Sequence, residues 1–173
     1  IAYSDGVMYG TDDSKVDIKD RVHFIKPMAG QRAVSDPIIS KQNGSVIICF
    51  GVPIKENGQI VGSLVAVRNG NTLSDVVNDI TFGQSGKSFV INKNGTTIAH
   101  YENEFVMEMF NAIEASKEDP SFASLAQLEE LMLQGNNGSG NYLYNGETKI
   151  VGFAPVEGMD WYLAVSAPED EVL

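Results

Sequence analysis

Arg21 and His23 stand two residues apart, with the ring of Phe24 directly after them and a helix-breaking proline at Pro27. A guanidinium offers a planar fork of donors that grips a carboxylate bidentately, and imidazole is the side chain whose ordinary pKa lies near neutrality. The group could therefore clamp an anion. The plainer reading is an arginine ion-paired with Asp17, Asp20 or Asp36 beside a satisfied histidine. Helical spacing places Arg21 beside Phe24 and Ile25, with His23 further round, and Pro27 is expected to limit the helix because it cannot donate its amide.

Other chemistry is sparse. A catalytic histidine needs an orienting partner and a reacting group. His23 with Asp36 could make a hydrolase-like pair, whereas His100 ends the strand-like Thr97–Tyr101 and reads as structural. There is no Cys/His metal spacing, HExxH, GxSxG or phosphate-cradling loop, and Gly83 and Gly86 precede a strand instead of joining a strand to a helix. The single cysteine, Cys49, lies in Val46-Ile47-Ile48-Cys49-Phe50 and reads as a small buried thiol. Trp161 reads as a core anchor, Glu169-Asp170-Glu171 as a solvated end, and Met107, Met109, Phe110, Ile113, Leu125, Leu128, Leu131 and Met132 as helix packing. Three Asn-X-Ser/Thr matches, at Asn43, Asn94 and Asn137, fall on turns.

The elements that must position these residues are punctuated by Asp5-Gly6, Asn43-Gly44, Asn57-Gly58, Asn94-Gly95 and Asn145-Gly146. Such pairs supply the positive φ angles of type I′ turns and predict antiparallel hairpins in a meander. A first block predicts strands over Ala33–Ile39, Ser45–Pro53 and Gln59–Val67. A helix-spaced segment, Leu73–Ile80, separates it from a second block. That block predicts strands at Ser88–Asn92 and Thr97–Tyr101, a helical stretch over Phe105–Leu133 broken near Pro120, and strands at Gly140–Tyr144, Lys149–Pro155 and Trp161–Ala167. The order reads as two α+β modules, divided as residues 1–80 and 81–173.

With 173 residues and 43% hydrophobic content, the chain can bury a sizeable core. Its 12 basic residues are scattered among 23 acidic ones for a net charge of −11, which excludes a phosphate-backbone binder; no nucleic acid partner is expected. No segment resembles a signal sequence or a bilayer span. The abrupt opening at Ile1-Ala2-Tyr3-Ser4-Asp5-Gly6 looks like the end of a hairpin whose earlier strand and preceding helix are missing.

Several phrases carry a family resemblance. Asp17–Phe24, Gly30, Val34-Ser35-Asp36-Pro37, Gly51-Val52-Pro53-Ile54 and Gly58–Gly62 resemble the membrane-distal half of double Cache (dCache) sensor domains. Ile91–His100, Gly140-Asn141-Tyr142, Phe153–Val156 and Trp161-Tyr162-Leu163 look like the membrane-proximal half, so the likeness covers nearly the whole chain. It implies an α+β fold of two stacked PAS-like modules, each an antiparallel sheet with flanking helices, on a long N-terminal helix missing from this chain. It also implies an extracytoplasmic, non-catalytic sensor without cofactor or metal. Such a sensor is anchored in the cell membrane through flanking helices, is homodimeric in the full receptor, and binds a small molecule in the distal module.

The resemblance further places Arg21 at the carboxylate-gripping position of the amino-acid-binding members, with His23 and Phe24 at the aromatic positions after it. Val16 takes the place of an upstream tyrosine. Ile38 and Ser40 stand where those members hold a tyrosine and an aspartate, and Val67 where they hold the ammonium-pairing aspartate. An ammonium buried without a carboxylate partner is costly. The ligand-binding set Arg21, His23, Phe24, Ile38, Ser40 and Val67 therefore suits an anionic or neutral ligand such as a small carboxylate. The principal alternative is a structural or protein-interaction module that binds no ligand; a hydrolase using His23, or a haem- or flavin-binding cytoplasmic PAS sensor, ranks below it.

Overall fold

The computed structural model describes residues 1–172, and the chain folds as two compact units, Ile1–Gly70 and Asn71–Leu173. The first unit is one antiparallel sheet with a single helix. β1 (Ala2–Tyr3), β2 (Val7–Tyr9) and β3 (Lys15–Asp17) lead to α1 (Val22–Met28). Then come β4 (Ala33–Val34), β5 (Ile38–Ile39), β6 (Val46–Glu56) and β7 (Gln59–Asn69). The order across the sheet is β3-β2-β1-β7-β6-β4, with β5 also paired to β6.

Two expectations change here. Arg21, placed within the helix by spacing, is instead its extended N-cap residue at φ −97° and ψ 139°, after the strand that ends at Asp17. Pro27 sits inside the helix, not beyond it. The carbonyl of His23, which would await an amide from residue 27, accepts instead from the buried Ser63 hydroxyl at 3.1 Å. That bond satisfies the carbonyl that an interior proline leaves without its helical donor. The strand expected over Ala33–Ile39 is broken into β4 and β5 around Asp36-Pro37, consistent with a proline that cannot donate to a ladder.

Helix α1 packs on β6 and β7. Gly51 on β6 allows the approach, since a Cβ there would lie 2.3 Å from the His23 carbonyl oxygen. Phe24 of the helix is buried with Ala2 and Ile18, and Met8, Val16, Met28 and Val65 pack around them.

The second unit begins with α2 (Thr72–Val77), grouped with the first half at the sequence level. It packs on β8 (Lys87–Asn92) and β9 (Thr97–His100), where the Ser88 hydroxyl donates to the Val77 carbonyl and the His100 amide to the Ser74 hydroxyl. The predicted helical stretch resolves into α3 (Asn103–Met107), α4 (Ala112–Ala115), a 3-10 turn over Pro120–Phe122 and α5 (Ala123–Met132). β10 (Gly138–Tyr144), β11 (Glu147–Pro155) and β12 (Trp161–Pro168) follow, then α6 (Glu169–Val172); the sheet order is β10-β11-β12-β8-β9. Alternation along β8 sends Phe89 and Ile91 into a core with Leu125, Leu128, Met132 and Phe153. Val90 faces the opposite side, with Val77, Ile98 and Ala99, against which Trp161 packs. Glu171 is more than a solvated end: its carboxylate accepts from the amides of Gln84 and Ser85 and from the Ser85 hydroxyl.

Candidate functional site

A cavity in the first unit gathers residues from separate elements: Met8 and Val16 from the N-terminal hairpins, Arg21 and His23 from the start of α1, Ile38 and Ile39 from β5, the turn Ser40-Lys41-Gln42, and Ile47, Cys49 and Val67 from the sheet. It encloses about 380 Å³ of empty space, part of it open to solvent.

Arg21 reaches it because the chain turns sharply after β3. The Asp17 carboxylate accepts the Lys19 amide at 3.0 Å, and the Arg21 amide donates to the Ile18 carbonyl at 2.9 Å. The guanidinium then donates to the Ile39 carbonyl at 3.3 Å, while its Nε lies 4.0 Å from Asp20. The ion pair with Asp20 is therefore long. Asp20 is held much more closely by Lys41, at 2.6 Å, and Lys41 also donates to the Asp17 carbonyl. Gln42 donates to Asp12 at 2.9 Å; the Ser14 hydroxyl bond first, and then this one and the Ser14 amide, hold the Asp12 carboxyl down to about 2.

His23 is 2% exposed, and its Nδ1 has no hydrogen-bond partner among the described residues. Burial, reinforced by the Arg21 charge, lowers its pKa to about 4, so the ring is neutral at pH 7. The Cys49 thiol is pushed up to about 11 by burial and is inert as a nucleophile.

Of the ligand-binding residues expected from the sequence, Arg21, His23, Ile38, Ser40 and Val67 line this cavity together. Phe24 does not. Its ring is buried with Ala2 and Ile18, because the residue after His23 on a helix turns about 100° away. The sequence reading missed Lys41 and Gln42, although both follow Ser40 directly in the turn that precedes β6. No Asp or Glu lines the cavity, which carries two cationic side chains and otherwise neutral walls.

A family model described as Cache domain (dCache_1) matches residues 2–173. The chain belongs to the Cache domain family. Cache domains are sensor modules of receptors, and this chain is such a domain. The ligand-binding domain of the Pseudomonas fluorescens chemoreceptor CtaA, solved with L-alanine, superposes with a TM-score of 0.69 at 21% identity, covering 98% of this chain and 71% of that one. The corresponding domain of the Pseudomonas aeruginosa PAO1 amino acid chemoreceptor PctB, solved with L-Arg, gives 0.65 at 19% identity, covering 99% and 70%. At sequence level, the methyl-accepting chemotaxis protein PctB of Pseudomonas aeruginosa is 23% identical over 146 residues, which is 83% of this chain and 21% of that protein. The chain thus spans about a fifth of the curated relatives it matches. The Cache fold explains the two sheets, and among the described residues no helix is long and apolar enough to cross a membrane.

Proposed function

We propose that this Cache domain is the extracytoplasmic sensor of a membrane-anchored, homodimeric bacterial receptor, and that the cavity of its first unit, as the membrane-distal module, binds a small carboxylate. One observation carries the reading: Arg21 and Lys41 line a cavity that no acidic side chain enters. A ligand carboxylate would take the Arg21 fork, which among the described residues is held by a long bond to a carbonyl and a long ion pair. Neutral His23 and Ser40 would supply the remaining polar contacts, and Ile38, Ile47 and Val67 the apolar wall. Ligand binding would shift the receptor between two conformations by its difference in affinity for them.

A second reading is favoured by the solved relatives, whose bound molecules are L-alanine and L-Arg. An amino acid would place its carboxylate on Arg21 and its ammonium on the neutral acceptors His23, Ser40 and Gln42. Apolar Val67 and Ile38 in the lining, and the absence of any acid there, weigh against that arrangement.

The test is a thermal-shift screen of small carboxylates, amino acids, amines and sugars, with isothermal titration of each hit on wild type and Arg21→Ala. A ligand at about a hundred times its Kd adds roughly 2.7 kcal/mol and moves the melting point by a few degrees. The expected result is a carboxylate hit that Arg21→Ala weakens tenfold or more. A panel without hits would favour the interaction-module alternative, and hits confined to amino acids the second reading.

A further inference from the structure

The second unit contains its own cavity, about 330 Å³ of empty space with an open mouth, which the proposed function does not use. Rings dominate its lining. Phe105 meets Phe110 edge-on at 4.6 Å, Tyr144 at 6.4 Å and the ring of His100 at 4.5 Å; His100 in turn stacks on Tyr101 at 4.2 Å. Into this lining comes Glu129 from α5. It is 1% exposed, and its Oε2 has no hydrogen-bond partner among the described residues; the Ala112 amide donates to the carboxyl.

A buried carboxyl group without a counter-charge is a costly element of any core. No lysine or arginine lines the cavity. His100 cannot supply the charge either, since burial lowers its pKa to about 4 and its Nδ1 accepts from the Glu102 amide at 2.9 Å. Burial has the opposite effect on Glu129, pushing its carboxyl up to about 8. A positive charge in the cavity would restore the carboxylate. Aromatic faces independently favour the same ligand, because their quadrupoles attract ammonium groups, most strongly where water is excluded. Rings alone would accept any apolar molecule and the acid alone any donor; the two together select a cation.

The geometry points to a second binding site, in the second unit, for a small organic cation of the ammonium or methylated-ammonium class, held between Glu129 and the rings of Phe105, Phe110 and Tyr144. The site is independent of the first cavity, which is lined by cations and lacks an acid.

Isothermal titration of the whole chain with methylammonium, tetramethylammonium and choline, against the uncharged choline analogue 3,3-dimethylbutanol, tests the assignment. At least one cation should bind tenfold or more tightly than the neutral analogue. Glu129→Gln should remove that preference, Phe105→Leu should weaken cation binding several-fold, and Arg21→Ala should leave it unchanged. Absence of cation binding would overturn the proposal, as would equal affinity for cation and analogue, or a cation affinity lost in Arg21→Ala and kept in Glu129→Gln. If Glu129→Gln does not fold, Phe105→Leu decides: unaltered cation affinity in that variant also overturns it.

Discussion

Histidines buried as His23 and His100 are make the fold respond to acid, and Glu129 makes it respond in the opposite sense. Each histidine falls from 6.5 to about 4 on folding. The unfolded chain therefore binds more protons across that window, and stability is lost as pH falls through it. Glu129 rises from 4.5 to about 8, so the folded chain keeps a proton that the unfolded one releases, and stability is lost as pH rises through that range. The two effects partly cancel in the wild type. Glu129→Gln removes one of them, so between pH 8 and pH 5 urea unfolding should show the variant losing roughly 3 kcal/mol more than the wild type. Parallel pH profiles would contradict this assignment of the buried acid. At the same scale, Arg21 and His23 could be picked out from their types and spacing, whereas Phe24 could not be separated from them, since adjacent helical residues differ only in direction. Glu129 was legible in principle: with Leu125, Leu128 and Met132 it completes the i, i+3, i+4, i+7 stripe that faces the core, a position where an acid is out of place.

Elements were easiest to read where turn chemistry and alternation agreed. Asn57-Gly58 and Asn145-Gly146 have positive φ at both residues and close the two-residue hairpins β6–β7 and β10–β11. At Asp5-Gly6, Asn43-Gly44 and Asn94-Gly95 only the glycine is positive, so these pairs turn the chain without forming type I′ turns. The N-terminal strands escaped the sequence reading because each is only two or three residues long, and they join the sheet only where β1 pairs with β7, distant in sequence. The placement of α1 depends on features invisible to local patterning, the Ser63 hydroxyl and the absent side chain of Gly51, and each gives a prediction. Ser63→Ala leaves the buried His23 carbonyl unsatisfied and should cost about 1–3 kcal/mol in urea unfolding. Gly51→Ala drives a methyl group into the same carbonyl and should cost about 1–3 kcal/mol by overpacking. Unchanged stability in both variants would show that α1 is not held by this approach to the sheet.

For the whole molecule, the order of motifs was more informative than any one of them, and it pointed to the Cache fold that the family match shows. The division into units was less legible. Leu73–Ile80 has helical spacing that suits either neighbour, whereas the hydrogen bonds from Ser88 and to Ser74 and the packing of Val77 against Val90, Ile98 and Ala99 attach α2 to the second sheet. The two cavities differ in electrostatic character, the first lined by Arg21 and Lys41, the second by Glu129 and rings. A two-input sensor follows if both are occupied, but the account rests first on the anion-binding reading of Arg21. The most direct measurement is isothermal titration of wild type and Arg21→Ala with the best small carboxylate from the thermal-shift screen. Binding to the wild type that weakens tenfold or more in Arg21→Ala, with unfolding otherwise unchanged, is the predicted result. Equal affinity in the two proteins would contradict it.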